Sequence, residues 1–410
     1  MDLIYQLGIR LYGLAAAVAA PFNEKARLWH RGRREVFRYL ESAIVHDRPL
    51  IWVHCASLGE FEQGRPLIEA VKSEYPQYRI LLTFFSPSGY EIRKNYAMAD
   101  YICYLPSDTR RHARRFTELV RPEKAFFIKY EFWKNYFFEL KRRQVPLYLV
   151  SAIFRPSQLF FQKGPRARWY RDVLRQVDHF FVQNPGSARL LDQIGLYNRT
   201  VTGDTRFDRV AGIAAAGKEL PLVEQFKGDS VLIVAGSSWA PDEELLAAYL
   251  RQNKKVKMIF APHEVKESNI RRLTELLPEK PVRYTAAGED VGTYRIMIID
   301  CIGVLSSVYR YADLAYIGGG FGVGIHNTLE AAIYHIPVLF GPNYLKFGEA
   351  VELVARKLAF PVNNTRELTG QLDHLIGNEP LLKEIAEKCE AFMAENVGAT
   401  RKVCQKVFNN

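Results

Sequence analysis

The residue best placed for proton transfer is Glu60, in the segment VHCASLGEFEQGRP (53–66). An apolar run ends just before residues 57–59 (SLG), which predict a turn. Glu60 then falls near the start of a helix. A carboxylate there could accept a proton from an attacking hydroxyl if apolar surroundings raise its pKa. It could also simply complement the helix dipole, and spacing alone favours that simpler role. Glu62 is the rival carboxylate, on a different face of the same helix.

A glycine-rich segment, LAYIGGGFGVGIHNTLE (314–330), has the composition of a phosphate-binding turn. Glycines let the backbone approach a ligand closely and expose its amides. A helix opening near Asn327 would add a partial positive charge, and Glu330 could accept hydrogen bonds from ribose hydroxyls. The spacing departs from the GxGxxG dinucleotide fingerprint. Any single glycine could serve packing, but the cluster together with His326-Asn327-x-x-Glu330 favours a binding role.

Three more strand ends in the same half of the chain carry polar groups, at 235–239, 260–264 and 301–307. Their side chains and backbone amides could surround a nucleotide, although each signal is weak alone. A single histidine after a strand, such as His263, more often has a structural role, and His54 within a strand is interpreted as a core histidine. The sequence has no GxSxG, HExxH or CxxC pattern, which disfavours serine-nucleophile and zinc chemistry.

The elements that must position these residues alternate between short apolar runs and longer helical patterns. Runs that are apolar on both faces are typical of buried parallel strands covered by helices. The pattern therefore predicts two doubly wound α/β domains, with a ligand cleft between the carboxyl ends of their strands. The strand-like runs lie at 50–56, 79–85, 101–105, 124–130, 146–152 and 179–183, and, after a polar hinge at 210–230, at 230–237, 257–262, 295–300, 314–320 and 337–342.

A length of 410 residues fits two domains of ordinary size. We predict an N-terminal membrane-associated segment (1–34), a first Rossmann-like domain (35–215), a second Rossmann-like domain (216–380) and C-terminal helices (381–410) that pack back towards the first domain. The five cysteines are an odd number without metal or redox spacing, which indicates scattered thiols in a reducing compartment.

The net charge of +11 favours an anionic partner, which could be nucleic acid, a membrane surface or substrates with phosphates and carboxylates. No RNA- or DNA-binding signature is visible. Residues 3–22 are mostly apolar but carry Arg10 near the middle, and a basic stretch (25–34) follows. A signal peptide, a single span, an interfacial helix with a basic flank and an ordinary buried helix are the alternatives. The basic and aromatic stretch 154–171 also suits an anionic lipid interface, and single-stranded nucleic acid would suit it as well.

Together these motifs resemble those of the transferases that move 3-deoxy-D-manno-octulosonic acid (Kdo) from CMP-Kdo to lipid A in the synthesis of the lipopolysaccharide inner core. The likeness covers nearly the whole chain and implies the GT-B glycosyltransferase fold. It rests on VHCASLGEFEQ (53–63), FFSPSGYE (84–91), YEFWKN (130–135), GDTRFD (203–208), AGSSWAPDEE (235–244), FAPHE (260–264), HNTLE (326–330) and GPNYLKFGEA (341–350).

The resemblance implies specific roles. Glu60 matches the general base, which would deprotonate a glucosamine hydroxyl of the acceptor, lipid IVA, and Glu131 matches a second family carboxylate. The first domain would hold the acceptor and the second the donor. The residues expected at CMP and the donor sugar are Ser237, Ser238, Pro262, His263, Gly303, Val304, Leu305, Gly319, Asn327, Thr328, Leu329 and Glu330, and those expected to face the acceptor or the membrane are Ser57, Gly59, Arg155, Arg166 and Arg168.

No cofactor and no metal is expected, because CMP-Kdo is a substrate whose leaving group is not a diphosphate. The expected partners are CMP-Kdo, the lipid A precursor and an anionic membrane surface, without nucleic acid, and the expected location is the cytoplasmic side of the inner membrane. The alternatives are a GT-B enzyme that uses a UDP-sugar and a membrane-docked nucleic-acid-binding protein.

Three positions depart from the family pattern and bear on the phosphate contacts. The family usually has Arg where His263 stands, His where Trp239 stands, and Lys where Arg206 stands. YEFWKN is likewise a loosened form of the family's TELWPN. A neutral histidine would be a weaker phosphate partner than arginine.

Overall fold

The computed structural model describes residues 1–322 and 324–409, and the chain divides into two compact units. The first unit holds Met1–Arg209 together with the chain from Asn396 onward, and the second holds Val210–Glu395. The division therefore falls a few residues before the predicted boundary at 215/216. Only the end of the predicted C-terminal segment, rather than all of 381–410, belongs to the first unit.

The first unit alternates strands and helices, as the apolar runs predicted. Its elements are α1 (Asp2–Ala19), α2 (Glu24–Arg34), α3 (Val36–Ala43), β1 (Leu50–Cys55), α4 (Leu58–Glu74), β2 (Arg79–Phe84), α5 (Pro87–Arg93), β3 (Tyr101–Tyr104), α6 (Arg110–Val120), β4 (Lys124–Ile128), α7 (Lys134–Arg142), β5 (Leu147–Ala152), α8 (Pro165–Leu174), β6 (His179–Val182), α9 (Pro185–Gln193), β7 (Arg199–Val201) and α10 (Thr205–Ala215), the last of which runs across the unit boundary.

The second unit repeats this alternation. Its elements are α11 (Pro221–Lys227), β8 (Val231–Ser238), α12 (Ala240–Gln252), β9 (Val256–Pro262), α13 (Glu267–Leu276), β10 (Val282–Arg283), β11 (Ile296–Ile298), α14 (Leu305–Val308), β12 (Leu314–Ile317), α15 (Leu329–Ala332), β13 (Val338–Phe340), α16 (Gly348–Ala355), β14 (Ala359–Pro361), α17 (Thr365–Ile376) and α18 (Glu379–Asn396), and α19 (Ala399–Phe408) then returns to the first unit.

Each unit contains one parallel sheet of seven strands. The order in the first sheet is β3-β2-β1-β4-β5-β6-β7, and in the second it is β10-β11-β9-β8-β12-β13-β14. The strand order reverses between β1 and β4 in the first sheet and between β8 and β12 in the second. Open α/β sheets bind ligands at the carboxyl ends of the strands that flank such a reversal.

All the predicted strand runs form strands, but the sequence missed three short edge strands, β7, β10 and β14. Each has only two or three residues, too few for a hydrophobic period to show. The predicted polar hinge at 210–230 contains most of α10 and all of α11. The helix predicted near Asn327 is also shorter and later than expected: α15 has only four residues and begins at Leu329.

The C-terminal helix α19 completes one face of the first sheet. Val403, Cys404 and Val407 are buried in the same apolar cluster as strand residues of β1, β2 and β4. Asp208 holds the start of this segment, because its carboxylate accepts hydrogen bonds from the backbone N–H groups of Gly398 (2.5 Å) and Thr400 (2.6 Å).

The N-terminal helix α1 contains no buried residue. Its N-terminal end is held by polar contacts: Asp2 pairs with Lys134 and accepts a hydrogen bond from the indole of Trp169 (2.6 Å), and Tyr5 donates to Asp108 (2.5 Å). The alternative of an ordinary buried first helix is therefore wrong. Among the described residues no single helix is long and apolar enough to cross a bilayer; α1 and α2 together meet that length and composition but are bent by 118°.

The basic flank behind α1 does not lie wholly on the surface. Trp29 is buried, and Arg33 lies between the rings of Trp29 and Phe85, at 3.9 Å and 4.8 Å from their centroids. Its guanidinium donates to the backbone carbonyls of Leu105 (2.9 Å) and Phe85 (2.7 Å), and burial lowers its pKa to about 9. Arg33 thus stabilises the fold and is not part of a lipid-facing basic patch.

Candidate active site

Glu60 lies in the first turn of α4, directly after the carboxyl end of β1. Ser57 occupies the N-cap position, but its hydroxyl donates a hydrogen bond to the Glu60 carboxylate instead of capping the helix. The helix packs tightly on β1, because a β-carbon at Gly64 would lie 2.8 Å from Cys55 Sγ. Glu60 is partly exposed, so its carboxylate is held in place and still accessible to a substrate.

Glu131 follows β4, the neighbour of β1 across the strand reversal. The chain turns out of β4 through Lys129, whose φ is 71°. The pKa of Glu131 is raised to about 7, mainly by burial and also by the negative charge of Glu60, while the indole of Trp133 acts in the opposite direction. The two carboxylates are therefore neighbours, and one of them binds a proton in the neutral range.

Glu62, the rival carboxylate, is engaged elsewhere. It forms ion pairs with Arg93 (2.9 Å) and Arg209 (3.5 Å). These two guanidinium groups hold the Glu62 carboxylate, so it is not directed towards a substrate in the way that Glu60 is.

His54 lies behind this edge of the sheet, fully buried, with both ring nitrogens bonded. Nδ1 lies 2.9 Å from Thr83 Oγ1, and Nε2 accepts the indole N–H of Trp133 at 3.2 Å. Burial lowers the pKa of His54 to about 3, so the ring is neutral. The interpretation of His54 as a core histidine with satisfied hydrogen bonds agrees with these contacts.

In the second unit the glycine-rich turn after β12 packs against the end of β8. A β-carbon at Gly318 would lie 2.3 Å from the carbonyl oxygen of Ser237, and Ser237 itself has a φ of 51°. Asp242 holds the turn, since its carboxylate accepts hydrogen bonds from the backbone N–H groups of Gly319 (2.9 Å) and Trp239 (3.0 Å). The turn after β12 and the end of β8, the two strands that flank the reversal, are therefore held together by these contacts.

Three aromatic rings gather at this edge. The indole N–H of Trp239 donates to His326 Nε2 at 3.0 Å, and the two rings are nearly parallel, at 11°. His263 stacks on both, with centroid distances of 4.6 Å to Trp239 and 4.3 Å to His326. Burial and the neighbouring His263 lower the pKa of His326 to about 4. Two of the departures from the family pattern, Trp239 and His263, are therefore in direct contact.

The residues expected to hold the ribose lie beside the same turn. Glu330 accepts hydrogen bonds from Asn327 Nδ2 (3.0 Å) and from Ser306 Oγ (3.3 Å), and the side-chain Oδ1 of Asn327 accepts from the backbone N–H of Leu329 (3.2 Å). The hydroxyl of Thr328 is buried without a hydrogen-bond partner among the described residues. Because α15 has only four residues, its dipole adds little, and polar side chains dominate this part of the edge.

The remaining donor candidates also follow strands of this sheet. Ser238 is buried and donates to Glu243 (2.9 Å), so its hydroxyl serves the fold. Pro262 ends β9, and Gly303 has a φ of 95° just before α14, where Val304 is the N-cap residue.

The residues expected to face the acceptor or membrane occupy two places. Ser57 and Gly59 flank the start of α4 beside Glu60, whereas Arg155 follows β5 and Arg166 and Arg168 lie exposed on α8. Helix α8 also supplies Trp169, which contacts α1, so these arginines neighbour the exposed N-terminal helix.

Sequence reasoning did not single out three residues at these edges: Trp133, His326 as a partner of Trp239, and Lys346. A β-carbon at Gly324 would lie 2.9 Å from Lys346 Nζ, so this ammonium approaches the glycine-rich turn. Lys346 lies within the family-like segment GPNYLKFGEA (341–350), but the sequence gave it no role of its own. Among the described residues no group of three His, Cys, Asp or Glu side chains could hold a metal ion.

The two-unit architecture is that of the GT-B fold, and solved structures share it. A UDP-GlcNAc 2-epimerase from Neisseria meningitidis superposes with a TM-score of 0.61 at 13% identity, covering 88% of this chain and 100% of the other. A glycosyltransferase from Rickettsia africae superposes with a TM-score of 0.56 at 11% identity, covering 89% and 100%. The predicted fold class is confirmed.

Sequence comparison supports the predicted resemblance. Residues 30–209 match the family model of 3-deoxy-D-manno-octulosonic-acid transferases. A relative of that name from Aquifex aeolicus is 28% identical, covering 84% of this chain and 90% of the relative, and one from Bordetella pertussis is 26% identical, covering 97% and 98%. The resemblance to the Kdo transferases that the motifs predicted is therefore confirmed.

Proposed function

We propose that this protein transfers Kdo from CMP-Kdo to a lipid A precursor, lipid IVA, in the synthesis of the lipopolysaccharide core. The observation that carries the proposal is the placement of chemistry at both strand reversals. The first unit has a carboxylate pair there, and the second has a glycine-rich turn with ordered polar side chains. Activating an acceptor hydroxyl and holding a sugar nucleotide need those two kinds of group.

Glu60 is the proposed general base. It would take the proton of a glucosamine hydroxyl as that oxygen attacks the anomeric carbon of Kdo and CMP departs with the bonding electrons. The Ser57 hydroxyl orients its carboxylate, and the position in the first turn of α4 leaves it accessible. Glu131 is the rival base, because a pKa of about 7 suits proton transfer at neutral pH.

The second unit is proposed to bind CMP-Kdo. Glu330, with Asn327 and Ser306 already bonded to it, is placed to accept hydrogen bonds from ribose hydroxyls. The ammonium of Lys346, which approaches the glycine-rich turn, would supply positive charge for the phosphate that the sequence predicted this turn to bind. No metal is required in this proposal, because the leaving group carries a single phosphate.

We further propose that α1 docks on the cytoplasmic face of the inner membrane. Several of its large apolar side chains are exposed, among them Leu3 at 82% and Leu14 at 63%, and Phe22 just after it is 91% exposed. Arg166 and Arg168 on neighbouring α8 add positive charge that anionic lipids would attract. A helix held at its N-terminal end on the protein surface suits an interfacial position.

The proposal is tested by measuring nucleotide binding and transfer with the full-length protein. CMP should bind at least tenfold more tightly than UDP, and CMP-Kdo with lipid IVA should yield a Kdo-bearing lipid. Preferential binding of UDP would favour a UDP-sugar enzyme instead. Steeply salt-dependent RNA binding without any transfer would favour the nucleic-acid alternative.

A further inference from the structure

A chain of hydrogen bonds runs from the core of the first unit to the carboxylate pair. The indole N–H of Trp52 donates to Thr83 Oγ1 at 2.8 Å, and Thr83 Oγ1 lies 2.9 Å from His54 Nδ1. His54 Nε2 then accepts the indole N–H of Trp133 at 3.2 Å. The direction of each bond follows from chemistry: an indole can only donate, so the proton of the neutral His54 ring must sit on Nδ1.

Trp133 therefore stands between two acceptors, the buried imidazole of His54 and the carboxylate of Glu131. It lies two residues after Glu131, and its indole N–H favours the ionised carboxylate. An indole has a single N–H, so the hydrogen bond to His54 weakens any hydrogen bond that the same N–H makes to Glu131. The ring itself is fixed by packing, since Phe85 lies 4.8 Å away at an interplanar angle of 31°.

We propose that His54 and Trp133 are positioning residues for the carboxylate pair: His54 draws the indole N–H of Trp133 into the core, withholds it from Glu131, and so keeps Glu131 able to hold a proton beside Glu60. The inference deepens the proposed function and rests on it, because it places a carboxyl group that can donate a hydrogen bond beside the proposed base. Such a site has a base and a hydrogen-bond donor at the same edge of the sheet.

The groups that face Glu131 define what else could move its titration. Glu60 and the neighbouring thiol of Cys55 are the titratable groups that interact with it, and burial together with the nearby carboxylates keeps the pKa of Cys55 well above its usual value. His54 is neutral throughout the working range. Two changes to the indole N–H should therefore shift the titration midpoint of Glu131 in opposite directions. One removes the N–H altogether, and the other frees it from His54.

The test is a carboxyl ¹³C NMR titration of Glu131 in the full-length protein without donor or acceptor, with the signal assigned by Glu131→Gln. His54→Phe keeps an aromatic ring but offers no acceptor, so the indole N–H is released to Glu131 and the midpoint should fall by about one pH unit, the scale of one hydrogen bond to a charged group. Trp133→Phe removes the donor, and the midpoint should rise.

His54→Gln is the conservative control. Its amide can accept from Trp133 and donate to Thr83, so the titration should stay close to wild type. Shifts of the same sign in His54→Phe and Trp133→Phe, or no shift in either folded variant, would overturn the inference. The alkaline limb of kcat/KM, where Glu131 loses its proton, should move with the NMR midpoint. Because the titration needs no substrate, it stands or falls separately from Kdo transfer.

Discussion

At the scale of single residues, position relative to the strand reversal separates the carboxylates. Glu60 and Glu131 follow the two strands that flank the reversal, whereas Glu62 points to Arg93 and Arg209 and is neutralised there. Only the first two can meet a substrate at the carboxyl edge of the sheet, which is why they are the candidates for proton transfer.

The raised pKa of Glu131 has a consequence for stability. Its pKa is about 7 in the folded protein against 4.5 for an ordinary Glu, so the stability it contributes is present below pH 4.5 and lost as the pH rises through 7. The full cost at pH 8 is about 3 kcal/mol. Glu131→Gln should therefore raise the free energy of unfolding of the first unit at pH 8 by up to that amount and change it little at pH 4.5.

Urea unfolding at the two pH values, followed by the tryptophan signal, measures this difference. A variant that is equally stabilised at both pH values, or destabilised at pH 8, would show that Glu131 is not held in its proton-binding state by the fold.

Glu60 could be predicted from the sequence because its signal is local: a carboxylate that directly follows an apolar run. Glu131 entered only through its resemblance to a family motif. The contacts of Trp133 with His54, and of Trp239 with His263 and His326, join residues from different strands. No local spacing records such pairs, since they exist only once the sheet has brought the strand ends together.

At the scale of elements, α1 is held to the first unit by polar contacts at its N-terminal end, while several of its large apolar side chains are exposed. Replacing Leu7, Leu14 and Phe22 together by Ser should weaken binding to vesicles that contain anionic lipid by at least tenfold, because each apolar side chain gains on the order of 1.5–3 kcal/mol when fully buried. Co-sedimentation with such vesicles measures the effect.

Tyr197→Ser is the matched control, since Tyr197 is also a large exposed side chain, at 72%, but lies outside α1. It should leave vesicle binding unchanged, and both variants should bind CMP like the wild type. Equal loss of vesicle binding in the two would mean that general surface hydrophobicity, and not α1, drives the association.

The glycine-rich turn depends on close backbone approach. Gly318→Ala would place a β-carbon 2.3 Å from the Ser237 carbonyl oxygen and 2.6 Å from the Ser238 α-carbon, so the end of β8 or the turn must shift. We expect CMP affinity to fall at least tenfold, measured by calorimetry. Gly370→Ala, on α17 with nothing within 4 Å, is the control and should leave CMP affinity unchanged. Normal affinity in Gly318→Ala would remove this turn from the donor site.

Element type was predictable where apolar runs were long, and the strands β1, β2, β4, β5, β8 and β9 all fall on predicted runs. The failures are short or irregular. The start of the four-residue α15 is fixed by the hydrogen bond from the Leu329 N–H to Asn327, and its late start at Leu329 has no sequence signal. The burial of Arg33 was missed because a guanidinium satisfied by carbonyls and rings looks, in the sequence, like one more basic surface residue.

At the scale of the whole molecule, the chain leaves its first unit, builds the second and returns. The return segment α19 buries Val403 and Val407 against the first sheet. Replacing both by Ala should cost about 2 kcal/mol each and speed hydrogen exchange in the first unit alone, while CMP binding by the second unit persists. Arg401→Ala, on the exposed face of α19, is the control. Equal acceleration in both units would show that they do not unfold separately.

The net charge of +11 suits the proposed anionic substrates and membrane, but charge alone never distinguished them from nucleic acid. The GT-B fold and the resemblance to Kdo transferases favour the anionic substrates. In the proposed function, the chemistry of transfer depends on one side chain of the first unit.

The most direct measurement is the rate of Kdo transfer from CMP-Kdo to lipid IVA by wild type, Glu60→Gln and Glu62→Gln, with CMP affinity measured for each. Loss of a general base costs about 10²–10⁴-fold in turnover. We expect Glu60→Gln to lose at least two orders of magnitude in kcat with CMP affinity unchanged, and Glu62→Gln to stay near wild type. A folded Glu60→Gln protein with near-normal turnover would contradict the assignment of Glu60 as the base.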